Sequence, residues 1–147
     1  MATLKVNITE SITLNGNNFG AKNVVSLTGV NAVNKRVVEC ITGSGGTQVY
    51  AGGAATGPGT FISANVKYIR ITNTEAVGGN FVILHLAGDS HESMHKLDAG
   101  ESFILSTPVG FDTEQSDIDN YSGVTIDTIK AKADTAAVKL EVYVATA

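Results

Sequence analysis

Three histidines, His85, His91 and His95, lie within eleven residues of one another. Clustered imidazoles raise the chemistry of a metal centre, and zinc would want about four ligands converging as a tetrahedron. Spacing argues against it. On a strand His91 and His95 share a face but stand about 13 Å apart at ~3.3 Å per residue, too far to chelate one ion directly. Asp112, Glu114, Asp117 and Asp119 could offer oxygens to calcium, which takes about six to eight. They lack the ordered acidic spacing and the glycine of a calcium loop. These residues are therefore read as ordinary surface or interface histidines and a solvated acidic loop, with no cofactor expected.

Nucleophilic chemistry finds no better footing. Cys40 sits between Glu39 and Ile41 in a strand pattern, the setting of a small core residue. No G-x-S-x-G elbow occurs. Gly43 to Thr60, GSGGTQVYAGGAATGPGT, holds seven glycines but lacks the Lys-Ser/Thr ending of a phosphate loop. No helix follows to present its N-terminus to an anion. A glycosidase pair of carboxylates stays open, because chain spacing does not fix their separation. The chain is expected to be non-enzymatic.

What positions these residues follows from the bulk chemistry. The 147 residues suit one domain, 1–147, long enough to bury a core without disulfides. A lone cysteine rules out an internal disulfide framework. The net charge is -4, and of ten Lys and Arg only Lys35-Arg36 are adjacent. That offers no basic stripe for nucleic acid and no polybasic patch for a membrane. No run approaches the roughly 20 apolar residues of a membrane helix. Met1 to Lys5 carries no charged-then-apolar leader, so the chain is expected to be soluble and made in a cytoplasm.

Leu4, Val6, Ile8, Ile12 and Leu14 occupy even positions, with polar residues between them. This two-residue rhythm predicts a half-buried strand, or two strands broken near Glu10-Ser11, ending in an Asn15-Gly16 turn. Further strands are expected at Val24 to Thr28, Arg36 to Thr42, Asn65 to Thr74, Asn80 to Ala87, Ser93 to Leu97 and Ser102 to Ser106. Glu75 to Gly79 and Asp98 to Glu101 read as hairpin loops. Val124 to Ala133 and Ala137 to Ala145 close the chain, the first bent near Asp127-Thr128, where its apolar residues change parity. Gly43 to Thr60 reads as a long loop within the domain, apart from a brief pairing at Gln48 to Ala51. The sum is an all-β, single-domain antiparallel β-sandwich, with a jelly roll preferred. Phe81 to Leu86 is apolar on both faces except at His85, as in a strand covered on two sides. Phe81, Ile83 and His85 are therefore candidate assembly contacts, with Tyr50 and Tyr121 added to them.

The strand VKYIRITNT, a second like NFVILHL, the turn HKLDAGESFIL and the final pair IDTIKAKADTAAVKLEVYVATA resemble small virion structural proteins of tailed bacteriophages. The likeness spans roughly Asn65 to Ala147 and carries no catalytic motif. It implies a capsid decoration or cement subunit, or a tail-associated one, located in the virion. Its expected partners are copies of itself, a trimer being favoured, and other virion proteins such as the major capsid protein. An alternative is a carbohydrate- or receptor-binding module of a phage fibre or tail. With no Trp, its aromatic platforms would fall to residues such as Tyr50 or Tyr121. A cupin-like metal-dependent enzyme ranks third, because Leu86-Ala87 follow His85 where cupins carry a His-x-His pair.

Overall fold

Val138, Leu140, Val142 and Val144 alternate with Lys139, Glu141 and Tyr143, and such alternation suits a pleated strand with one covered face. The computed structural model, which describes residues 1–89, 91–111 and 123–147, bears this out for Val138–Thr146. Its strands, in chain order, open with β1 (Ala2–Thr9), β2 (Thr13–Leu14), β3 (Asn17–Asn18), β4 (Lys22–Val30) and β5 (Ala32–Cys40). They continue with β6 (Thr47–Gly53), β7 (Thr60–Ile62), β8 (Val66–Asn73), β9 (Val82–Gly88) and β10 (His91–Leu97). The series ends with β11 (Ser102–Leu105), β12 (Val109–Phe111), β13 (Val124–Thr125), β14 (Thr128–Ala133) and β15 (Val138–Thr146). One 3-10 turn, Ser63–Asn65, is the helical content of the described residues.

Two sheets face each other. One runs β10-β9-β14-β6-β7, the other β11-β8-β15-β5. Between them Val82, Leu84 and Leu86 of β9 and Ile129 and Ala131 of β14 meet Ile69 and Ile71 of β8 and the four aliphatics of β15. All are at most 2% exposed, and burying each large one contributes about 1.5–3 kcal/mol. The chain is an all-β sandwich. Its pairings are antiparallel except β6–β7, which is parallel.

Three local expectations need correction. The glycine-rich segment is no long loop: Thr47–Gly53 is an interior strand, with Val49 and Tyr50 fully buried. Its glycines serve close packing, since a Cβ on Gly52 would meet the Ser63 hydroxyl at 2.3 Å. The segments after β8 and after β10 are not hairpin loops, because β8 and β11 lie in one sheet and β9 and β10 in the other. They are crossovers, although Gly78 (φ 88) and Gly100 (φ 83) do supply the expected turn chemistry. The change of parity near Asp127 is a break between β13 and β14, which belong to different sheets.

Asn73, the one fully buried polar residue described, ties both crossovers down. Its amide nitrogen donates to the carbonyls of Asn80 (2.9 Å) and Leu97 (3.3 Å), and its Oδ1 accepts from the Glu75 amide at 3.1 Å. Gly88 marks another close approach: a Cβ there would stand 1.9 Å from the Thr125 carbonyl oxygen. Gly88→Ala should therefore force β9 and β13 apart, costing about 1–3 kcal/mol in urea unfolding. An unchanged midpoint would refute that contact.

Candidate assembly surfaces

The first thirty residues build something the sandwich does not need. β1 pairs with β4 through Leu4↔Leu27, Val6↔Val25 and Ile8↔Asn23. The same register continues outward: Glu10 and Ala21 exchange backbone bonds of 2.8 and 3.1 Å, Phe19 N–H donates to Ile12 (3.0 Å), and Leu14 faces Asn17. Asn15 (φ 51) and Gly16 (φ 80) close the tip, the left-handed pair a two-residue hairpin turn requires. The result is one β-ribbon of about 40 Å at ~3.3 Å per residue.

Directly opposed residues on antiparallel strands share a face. Leu4, Val6, Ile8, Ile12 and Leu14 thus join Leu27, Val25 and Phe19 in one apolar stripe, while Thr3, Lys5, Asn7 and Thr9 line the other side. At the base, Leu4, Val6 and Leu27 pack on Tyr68, Tyr143 and Ala145, on the outer face of the four-stranded sheet. The predicted half-burial holds there and fails beyond. Ile8, Ile12, Leu14, Phe19 and Val25 are 42–63% exposed, so the distal half of the stripe faces solvent. We call this ribbon the arm.

The sheet beneath the arm offers more uncovered apolar surface. β5 is an edge strand whose Val33 and Val37 are 50% and 64% exposed, and Ile41, just past its end, is 53% exposed. A cleft of about 390 Å³ lies between the arm and this sheet, lined by Leu4, Val6 and Ile8 above and by Tyr68, Arg70 and Tyr143 below. Glu141 bridges Lys35 (2.9 Å) and Arg70 beside it. The hydrogen bond from Lys35, chiefly, and the Arg70 charge hold the Glu141 carboxyl below its usual 4.5. A depressed carboxylate adds stability above its unfolded pKa and loses it as pH falls through the folded one. Thermal midpoints measured from about pH 6 to 3 should therefore fall less steeply in Glu141→Gln than in the parent, with most of the difference below 4.5. Parallel curves would contradict this.

The five predicted contact residues do not share one surface. Phe81, Ile83 and His85 are half-buried on the outer face of the five-stranded sheet, because the even residues of β9 take the core. Tyr50 is corrected: it is fully buried, stacked on Phe61 at 5.7 Å, and its burial raises the phenol pKa. It can serve neither as an assembly contact nor as a glycan platform. Tyr121 and the carboxylates Asp112, Glu114, Asp117 and Asp119 lie outside the described residues. Sequence reasoning missed Phe19, Met94, Val33 and Val37. Only Phe19 left a trace, as an aromatic among turn residues.

The histidines diverge. His85 Nε2 lies 3.3 Å from Glu92 Oε2, the His95 ring packs on Phe103 at 5.3 Å, and His91 opposes Gly88. Among the described residues no group of three or more His, Cys, Asp and Glu side chains could hold a metal. Burial pushes the Cys40 thiol up to about 11, which disfavours the thiolate a nucleophile needs.

Comparison with known proteins finds no family model, no curated protein and no solved structure that matches the chain.

Proposed function

We propose that the chain is a non-enzymatic structural subunit of a bacteriophage virion, self-associating and binding the capsid, a decoration or cement role being preferred over a tail role. The observation that carries the reading is the arm. A two-stranded ribbon is marginal in water, and this one holds a continuous apolar stripe away from its own body. The occupant that best fits it is a second copy. The arm's base already packs on the outer face of the four-stranded sheet, and the same face continues at Val33 and Val37. The five exposed arm side chains present roughly 500 Å², so seating one arm on a neighbour would bury on the order of 1,000 Å² in each interface of a ring, the threshold for a specific contact. A closed ring, with a trimer favoured, would cover the β5 edge as well.

The winding supports a virion role by analogy. Four antiparallel pairs, β5–β15, β6–β14, β8–β11 and β9–β10, nest inside one another and alternate between the sheets. We infer a jelly roll from this, an architecture shared by viral capsid, lectin and cupin domains. Architecture alone does not name a job. The phage assignment rests on the strand and turn resemblance of Asn65 to Ala147, and the capsid on a cement subunit's need for extended adhesive surface. Light scattering during size-exclusion chromatography should give a multiple of the 15.2 kDa chain mass, and the protein should co-sediment with capsids. A monomer that ignores particles would overturn the proposal.

The cleft under the arm favours one other reading, carbohydrate or receptor binding. It combines Tyr68, Tyr143 and Arg70 in one concave site. Glycan-array binding that disappears in Tyr143→Ala would support it over assembly.

A further inference from the structure

On the outer face of the five-stranded sheet, register alone brings distant residues together. β9 lies between β10 and β14, so His85 opposes Met94 on one side and Lys130 on the other, and Ile83 opposes Lys96 and Lys132. Of these, Ile83, His85, Met94, Lys130 and Lys132, with Gly45-Gly46, surround a groove of about 370 Å³. Its chemistry is split along its length. Met94, 72% exposed, and Ile83 form an apolar side, and an exposed methionine is an adaptable docking surface. Lys130 and Lys132 form the opposite side, and neither has an acidic partner among the described residues. Lys96, by contrast, is held by Asp98 at 2.6 Å and lies over the Phe81 ring at 4.6 Å. On a chain of net charge -4, the Lys130–Lys132 side is a local reversal of sign, with Glu92 on the far side of His85 at 3.3 Å from its ring.

We propose that this groove binds an extended polypeptide segment in which carboxylate and apolar side chains alternate. Lys130 and Lys132 are two residues apart on one strand, hence about 6.6 Å apart along it, the spacing of alternate side chains on any extended chain. A segment lying edge-on in the groove sends one set of side chains to the lysines and the other to Ile83 and Met94. Phosphate backbones would match the lysines but gain nothing from the apolar side. The site is on the sheet that does not carry the arm, so it stands or falls independently of self-association.

The probe is a capped synthetic peptide of about eight residues alternating Glu and Leu, titrated by NMR against the chain. Its uncharged Gln–Leu counterpart and a DNA oligonucleotide of equal charge serve as controls. The Glu–Leu peptide should shift amides of β9, β10 and β14, and should bind at least about tenfold more tightly than either control. Raising salt from about 0.1 to about 0.5 M should weaken it. Lys130→Gln with Lys132→Gln, and separately Met94→Asp, should each cost about tenfold while melting as the parent does. Equal binding of Gln–Leu peptide or DNA overturns the proposal, as do shifts confined to other strands. A fall in oligomer mass on Met94→Asp overturns it too, because a second copy would then be the groove's occupant.

Discussion

Leu14→Asp combined with Phe19→Asp should leave the chain a monomer, with self-association weakened by at least about a thousandfold. Both side chains sit on the apolar stripe near the arm tip, 56% and 63% exposed in the isolated subunit. Burying such a side chain against a second copy contributes about 1.5–3 kcal/mol. The substitution removes that gain twice and adds two carboxylates that would have to shed water at the interface. A combined loss above about 4 kcal/mol corresponds to three decades in the dissociation constant. The body should melt within a few degrees of the parent, since neither side chain touches the sandwich core. Sedimentation velocity over a concentration series reads the outcome. A variant that assembles as well as the parent would remove the arm from the interface.

Asn73→Ala should destabilise the fold by about 3 kcal/mol, although it deletes only a small polar group. The amide makes three bonds, and truncation leaves two carbonyls and one N–H without their partner inside the protein. Its own backbone adds two more ties, its N–H to Glu101 (2.9 Å) and its carbonyl from Gly100 (3.1 Å), so both sheet-to-sheet crossovers converge on this residue. Such linked polar networks are worth more than their separate bonds. Urea unfolding should show a lower midpoint with an unchanged slope. A loss under about 1 kcal/mol would mean that water replaces the amide freely.

How far the sequence disclosed this fold depended on the range of the interaction. The rhythm of β15, the apolar parity of β1 and the Asn15-Gly16 turn are local, and each was legible. Exposure was not. Leu4 and Leu14 carry the same pattern, yet only Leu4 has Tyr68 and Tyr143 beneath it. The glycines of β6 looked like a mobile loop because glycine accommodates both freedom and crowding, and which one applies depends on Ser63 and Ile126, far along the chain. The groove on β9 escaped notice for the same reason. His85 and Lys130 are 45 positions apart and become neighbours only through the β9–β14 register. That Phe81, Ile83 and His85 take the outer face was not legible in a strand apolar on both sides; it follows from the even residues of β9 filling the core.

A single residue, Asn31, separates the arm from β5, and β5 then runs antiparallel to β15 from Ala32↔Thr146 to Cys40↔Val138. The arm therefore has no slack linker at its root: Ala32, the next residue, is already fixed opposite Thr146. With its base also packed on Tyr68 and Tyr143, the arm's angle to the sandwich is set by the fold rather than by whatever it meets.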